Sequence, residues 1–187
     1  MSSHSSQAPR SVAKPSTAVE VLLGLGSNIR RDYHLQAGLA ALRAEFGTVE
    51  CSPFYESAAV GFAGSPFYNG VAAIRTELSV DELNRWLKAL EDGFGRDRSQ
   101  PKFSSRNLDV DILTCGDLHG WIEGVQLPRS EVFRHAFVLK PLADLRPQGQ
   151  VPGEQRTWGE LWAQIGDSLQ PLHPVELAPL ASSLPLG

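Results

Sequence analysis

The chain has 187 residues, 42% hydrophobic and 20% charged, with 17 Lys and Arg against 21 Asp and Glu for a net charge of −4 at pH 7. That length fits one domain whose core needs no disulfide or metal staple, and the acidic balance argues against nucleic acid as the partner. No apolar run approaches the roughly 18 residues of a membrane helix, and Cys51 and Cys115 have neither scaffold nor zinc spacing, so a reducing, cytoplasmic setting away from membranes is expected.

Residues 1–18 hold six serines, two prolines, Arg10 and Lys14 with no acid. They lack the apolar stretch of a secretory signal, and a disordered tail is expected there. Val19, Val21, Leu23 and Leu25 then alternate as a strand, ending in the turn-like Gly24-Leu25-Gly26-Ser27-Asn28. Leu35, Leu39, Leu42 and Phe46 recur at helical steps, and Gly47 closes that helix. Thr48 to Ser57 reads as a strand in which Pro53 marks an edge or a bulge, and Gly61 to Pro66 as a loop. Phe67 to Thr76 alternates again, with Phe67, Asn69, Val71 and Ala73 on one face. Ser79-Val80-Asp81-Glu82 is a capping box opening a helix with the stripe Leu83, Trp86, Leu87 and Leu90, stopped by Gly93 and Gly95. After a basic loop, Asn107 to Thr114 is a strand with Leu108, Val110 and Ile112 opposite Asp109 and Asp111.

The order β-α-β-β-α-β predicts an α+β, ferredoxin-like fold: an antiparallel sheet with both helices on one face. A C-terminal extension of short strands and helices follows. It holds a hairpin or loop segment to Pro128 and a second capping box at Thr157 to Glu160, backed by Leu161, Trp162 and Ile165. The expected domain spans 19–172. Pro174, Pro179, Pro185, Ser182 and Ser183 make 173–187 read as a flexible tail. Trp86 and Trp162 fall on helical stripes and are expected in the core, and Cys51 and Cys115 read as small strand hydrophobes.

The chemistry concentrates between Gly95 and Asp111. The loop carries Arg96, Arg98, Lys102 and Arg106 against the single acid Asp97, a local net of +3 within 95–106. The strand behind it carries Asp109 and Asp111 at i and i+2, which period-two alternation points to one side. Two carboxylates that close repel and call for a compensating cation. Mg²⁺ suits them, because it takes one or two carboxylates and fills its shell with water and phosphate oxygens. Cations beside such a pair are what polyphosphate transfer needs. A solvated acidic face with a basic loop salt-bridged to it is the other reading of the same residues. The chain has no GxxxxGK[ST] phosphate loop, and Gly24 to Asn28 lacks the third glycine of a dinucleotide fingerprint.

The run from Lys102 to Leu113 resembles the signature of the 6-hydroxymethyl-7,8-dihydropterin pyrophosphokinase family. The resemblance extends over most of 19–147, through Leu25 to Asn28, Ser52 to Ser57, Phe67-Tyr68-Asn69, Glu91, Gly95 to Arg98, Leu127-Pro128 and Phe137 to Leu142. It implies transfer of pyrophosphate from ATP to the hydroxymethyl oxygen of a reduced pterin, with release of AMP, as a step of folate biosynthesis. It implies two Mg²⁺ ions held by Asp109 and Asp111, and catalytic roles for Arg96 and Arg106 closing on the phosphates, helped by Arg98 and Lys102. Asp111 or a metal would take the hydroxyl proton. Arg129 would touch ATP. Glu91 would orient the basic loop or meet the nucleotide, or, as an exposed helix residue, do neither. Asn69 would read the pterin edge, Phe67 and Phe137 would sandwich the ring, and the backbone around Ser57 and Val60 would add contacts.

Departures from the family pattern mark a divergent member. Ser104 stands where Gly or Ala is usual, Phe103 for a common tryptophan, Ser57-Ala58 for Thr-Pro, Arg129 for histidine and His135 for an arginine. They leave open a different pterin as substrate, or a catalytically silent module that binds nucleotide or a protein partner. A monomer is expected, with a dimer as the alternative. The Gly-, Pro- and Ser-rich stretches 57–66 and 94–106 are expected to move as lids.

Overall fold

The structure, a computed structural model, describes residues 17–180. Its centre is β1 (Val19–Ser27), with β4 (Phe67–Thr76) on one side and β5 (Asp109–Cys115) on the other, both antiparallel to it. The expected second strand is present in two pieces, β2 (Glu50–Cys51) and β3 (Phe54–Ser57), both paired to β4. Pro53, which has no N–H to give the ladder, sits in the break. Ser52 repairs it: its N–H donates to the Val71 carbonyl at 2.8 Å and its Oγ accepts the Val71 N–H at 2.8 Å.

Helix α1 (Arg31–Phe46) ends at Gly47, whose φ of 78° suits glycine. Helix α2 (Val80–Gly93) begins with the expected capping box, Ser79 Oγ accepting from the Glu82 N–H while the Glu82 carboxylate accepts from the Ser79 N–H. Both helices lie on one face of the sheet. There Leu35, Leu39, Leu42, Leu83 and Leu87 pack on Val21, Leu23, Leu25, Ala72, Ile74, Val110 and Ile112. The strand order β5-β1-β4-β3 is the one a split βαβ pair produces.

The C-terminal extension covers the opposite face. After the hairpin β6 (Gly120–Ile122) and β7 (Val125–Leu127) come a 3₁₀ turn at Ser130–Phe133, helix α3 (Ala136–Leu145) and helix α4 (Trp158–Ile165). Leu139, Leu142, Trp158 and Leu161 pack there on Leu22, Val71, Ala73 and Leu113. Helix α4 carries the second expected capping box, with Thr157 Oγ1 accepting from the Glu160 N–H. Trp158 is wholly buried, while Trp86 and Trp162 are half-buried against the two cores.

Two expectations are corrected. Gly24 and Gly26 do not form a turn, because β1 runs on to Ser27 and both glycines are paired to β4 and β5. The segment after residue 172 is not all tail: β8 (His173–Val175) adds to the free edge of β3, and the Ala178 N–H donates to Asp32 Oδ1 at 2.7 Å. Pro174 is tolerated there because an edge strand need not donate on both sides. Of the expected tails, 1–18 and 173–187, residues 1–16 and 181–187 lie outside the described residues. Among the described residues no helix is long and apolar enough to cross a membrane.

Candidate active site

Where α3 stops covering the sheet, the ends of β1, β4 and β5 form the floor of a cleft of about 530 Å³. The floor exists because β1 has no side chains there. A Cβ on Gly24 would meet Leu113 at 3.2 Å, and one on Gly26 would meet Asn69 Oδ1 at 3.2 Å. Across the ladder Gly24 faces Asp111 and Gly26 faces Asp109, so the missing side chains open space beside both carboxylates. All thirteen residues singled out from the sequence line this one cleft: Ser57, Val60, Phe67, Asn69, Glu91, Arg96, Arg98, Lys102, Arg106, Asp109, Asp111, Arg129 and Phe137.

At one end the acidic pair meets two guanidinium groups. Arg96 Nη1 lies 3.5 Å from Asp109 Oδ1, and Arg129 Nη2 lies 3.5 Å from Asp111 Oδ1. These distances give Coulombic attraction without a good hydrogen bond. Arg96 Nε and Nη1 are buried and have no hydrogen-bond partner among the described residues, which leaves two donors that an anionic ligand would satisfy. Burial, then the neighbouring Glu91, raises the Asp109 carboxyl above its ordinary range despite Arg96 and Arg129. Burial, then Asp109, raises Asp111 as well.

The other cations differ in availability. Arg106 is buried and turned into its own loop, donating to the carbonyls of Pro101 at 3.1 Å, Lys102 at 2.6 Å and Ser105 at 3.2 Å, and to Ser104 Oγ. Ser104, one of the departures, thus supplies a partner for Arg106 that Gly or Ala would not. Arg98 is tied to α2 through Asp92 at 2.8 Å and the Lys88 carbonyl at 2.9 Å. Lys102 is exposed.

Glu91 is not an exposed helix residue. It is buried, its Oε1 accepts the Val110 N–H at 2.8 Å, and its backbone carbonyl accepts the Arg96 N–H at 3.1 Å. Its side chain thus ties α2 to β5, and its backbone carbonyl meets the basic loop. Asn28 is a structural link that reading for charged motifs passed over. Its Oδ1 accepts the Arg106 N–H at 2.7 Å, while its Nδ2 donates to the Ser65 carbonyl at 3.1 Å and Ser105 Oγ at 3.2 Å. It thereby joins the two loops that flank the cleft. The signal was present in Ser27-Asn28 at a strand end.

At the other end, Asn69 is buried and its Nδ2 donates to Ser57 Oγ at 2.9 Å, which orients the amide. Phe67 and Phe137 contribute to the cleft walls. Phe67 has Phe62 edge-on at 6.3 Å, and Phe137 is stacked on His135 with ring centroids 4.8 Å apart.

The residues present fit Mg²⁺ with a polyphosphate. Among the described residues no three or more His, Cys, Asp or Glu are grouped to hold a metal by themselves. Asp109 and Asp111 supply the one or two carboxylates that Mg²⁺ takes when phosphate and water complete its shell. The unpartnered nitrogens of Arg96 face the same need for an anion.

The model of the family described as 7,8-dihydro-6-hydroxymethylpterin-pyrophosphokinase (HPPK) matches residues 22–147. A Synechocystis protein named 2-amino-4-hydroxy-6-hydroxymethyldihydropteridine pyrophosphokinase is 34% identical over 147 residues, covering 77% of this chain and 75% of that protein. A Pseudomonas aeruginosa protein of the same name is 38% identical over 136 residues, covering 71% and 83%. The crystal structure of wild-type Plasmodium falciparum HPPK-DHPS with pteroate shares the fold at a TM-score of 0.57 and 14% identity, with 82% of this chain spanning 43% of that one. The chain therefore belongs to the 7,8-dihydro-6-hydroxymethylpterin-pyrophosphokinase family.

Proposed function

We propose that the chain transfers the terminal pyrophosphoryl group of ATP to the hydroxymethyl oxygen of 6-hydroxymethyl-7,8-dihydropterin, giving the pterin diphosphate and AMP in folate biosynthesis. One observation carries this: a single cleft has an acidic pair beside an arginine with two donors that lack a hydrogen-bond partner among the described residues at one end, and an oriented amide with two aromatic rings at the other. Such a cleft suits a flat heterocycle joined to a polyphosphate.

In this reading Phe67 and Phe137 hold the pterin ring between them, and Asn69 pairs with its hydrogen-bonding edge. Asp109 and Asp111 would hold Mg²⁺, two ions in all, which when bound neutralises phosphate charge. Arg96 offers its unpartnered N–H groups to the phosphates, and Arg129 approaches from the Asp111 side. The hydroxymethyl O–H bond breaks as oxygen bonds to the β-phosphorus. The bond from that phosphorus to the α–β bridging oxygen breaks, and its electron pair leaves with AMP. In this reading the hydroxyl proton passes to Asp111. Most of the rate then comes from positioning and charge stabilisation.

The test is AMP release with ATP and Mg²⁺, with and without the hydroxymethyl-dihydropterin. AMP formed only when the pterin is present supports the assignment. Binding of a non-hydrolysable ATP analogue without pterin-dependent AMP would overturn it in favour of a silent nucleotide-binding module. His135 and Arg129, which depart from the family at the cleft, favour a second reading in which the pterin differs. Comparing kcat/KM over a panel of side-chain variants of the pterin separates the two.

A further inference from the structure

The aromatic wall at Phe137 is backed by residues the family match does not reach. His135 lies parallel to Phe137, with centroids 4.8 Å apart and planes 15° apart, and both line the cleft. Against His135 stands Gln170, which follows the 3₁₀ turn at Gly166–Ser168 and lies beyond the matched residues 22–147. Gln170 Oε1 accepts the Ala136 N–H at 2.9 Å, the first N–H of α3, which His135's own side chain does not cap. Its Nε2 lies 3.1 Å from His135 Nδ1 and 3.5 Å from the Arg134 carbonyl.

Those contacts determine a protonation state. A backbone N–H can only donate, so the Gln170 oxygen must face Ala136 and the NH₂ must face His135. His135 Nδ1 must then be an acceptor, which makes the ring neutral with its proton on Nε2. A doubly protonated ring would bring N–H against N–H. Burial acts in the same direction, lowering the His135 pKa, with Arg134 lowering it further and Glu131 opposing.

We propose that Gln170 is a positioning residue for the substrate ring: by holding His135 neutral and in one tautomer and plane, it fixes Phe137 in the pose that receives the pterin. This rests on the reading that Phe137 forms one wall of the pterin site. It gives the segment beyond the family match a part in substrate recognition. It also accounts for a histidine at 135 where the family has an arginine, because a guanidinium offers no acceptor to the Gln170 amide.

The experiment is a double-mutant cycle on the full chain with Q170A, H135F and the pair, measuring KM for pterin, KM for ATP and kcat. Q170A is expected to raise the pterin KM about fivefold, the worth of one net hydrogen bond, with ATP KM and kcat within twofold of wild type. H135F keeps a ring on Phe137 without a nitrogen to hold, so adding Q170A to it should change the pterin KM less than twofold. An equal effect of Q170A in both backgrounds would make Gln170 only a helix cap and overturn the proposal. The ¹⁵N shifts of His135 in the ligand-free protein provide a second measure. Wild type should show the Nε2–H tautomer at pH 7, and Q170A should lose that preference. An unchanged tautomer in Q170A also overturns the proposal. A wild-type chain that binds no pterin removes the reading on which it stands, and the proposal with it.

Discussion

Replacing Asp111 by asparagine should make the ligand-free protein more stable while removing its activity. The Asp111 carboxyl is pushed up from an ordinary 3.8 to about 7, first by burial and then by Asp109 two residues away on the same face. Taken at about 1.4 kcal/mol per tenfold change in proton affinity, that is on the order of 4 kcal/mol against the charged form. The Asp111 side chain is 38% exposed to the cleft, however, so solvent screening reduces the cost to about 1 kcal/mol. The Asp109 repulsion alone, between charges about 7 Å apart along a strand, is about 0.6 kcal/mol in water and about 2.4 kcal/mol at an effective dielectric of 20, and Arg129 at 3.5 Å offsets it. The folded state binds the proton more tightly than the unfolded chain, so the penalty is absent below pH 4, grows as pH rises from 4 to 7, and is complete above. Thermal melts in EDTA should give D111N a Tm about 2–4 °C above wild type at pH 8 and equal to it near pH 4. The same variant should form no AMP. A lower Tm at pH 8, or a gain that does not depend on pH, would refute the reasoning.

Mg²⁺ must displace the proton that the pair favours, so binding of Mg²⁺ with an ATP analogue should release protons below pH 7 and weaken as pH falls; calorimetry in buffers of different ionisation enthalpy reads this directly. Arg96 and Arg106 should separate kinetically. R96A removes the unpartnered guanidinium and should lower kcat about 10²-fold with little change in pterin affinity, while R106A, whose guanidinium serves the 101–105 loop, should act mainly by raising the ATP KM in steady-state assays. G26A places a methyl 3.2 Å from Asn69 Oδ1, so its pterin KM should rise severalfold while its ATP KM stays within twofold, checked in the same assay.

The features legible in the sequence are those whose causes are local. Both capping boxes, at Ser79 and Thr157, involve residues three apart and form as read. Pro53 breaks its strand for want of an N–H, and the period-two placement of Asp109 and Asp111 follows from strand geometry alone. What was misread depends on distant neighbours. Glycine gives the same local signal whether it serves a turn or an open floor, and only Leu113 and Asn69, strands away, show that Gly24 and Gly26 do the second. Pro174 reads as a breaker until the free edge of β3 is known to lie beside it. Glu91 reads as exposed until the Val110 N–H is seen to need it.

Charge has to be divided by commitment as well as by sign. The cleft is lined by Lys88, Arg96, Arg98, Lys102, Arg106, Arg129 and Arg134 against Glu91, Asp109, Asp111 and Glu131, a positive surplus inside an acidic chain. Arg98 and Arg106 spend hydrogen bonds on α2 and on loop carbonyls in the ligand-free protein. Arg96 and Arg129 are held near the aspartates at 3.5 Å, close enough for attraction and too far for a strong hydrogen bond. In the proposed reaction a guanidinium so placed would lose little on turning to a phosphate, and the carboxylate it leaves would be free for a metal ion. The same 3.5 Å spacing would then serve both partners of a metal–polyphosphate complex, since neither would first have to break a strong bond to the other.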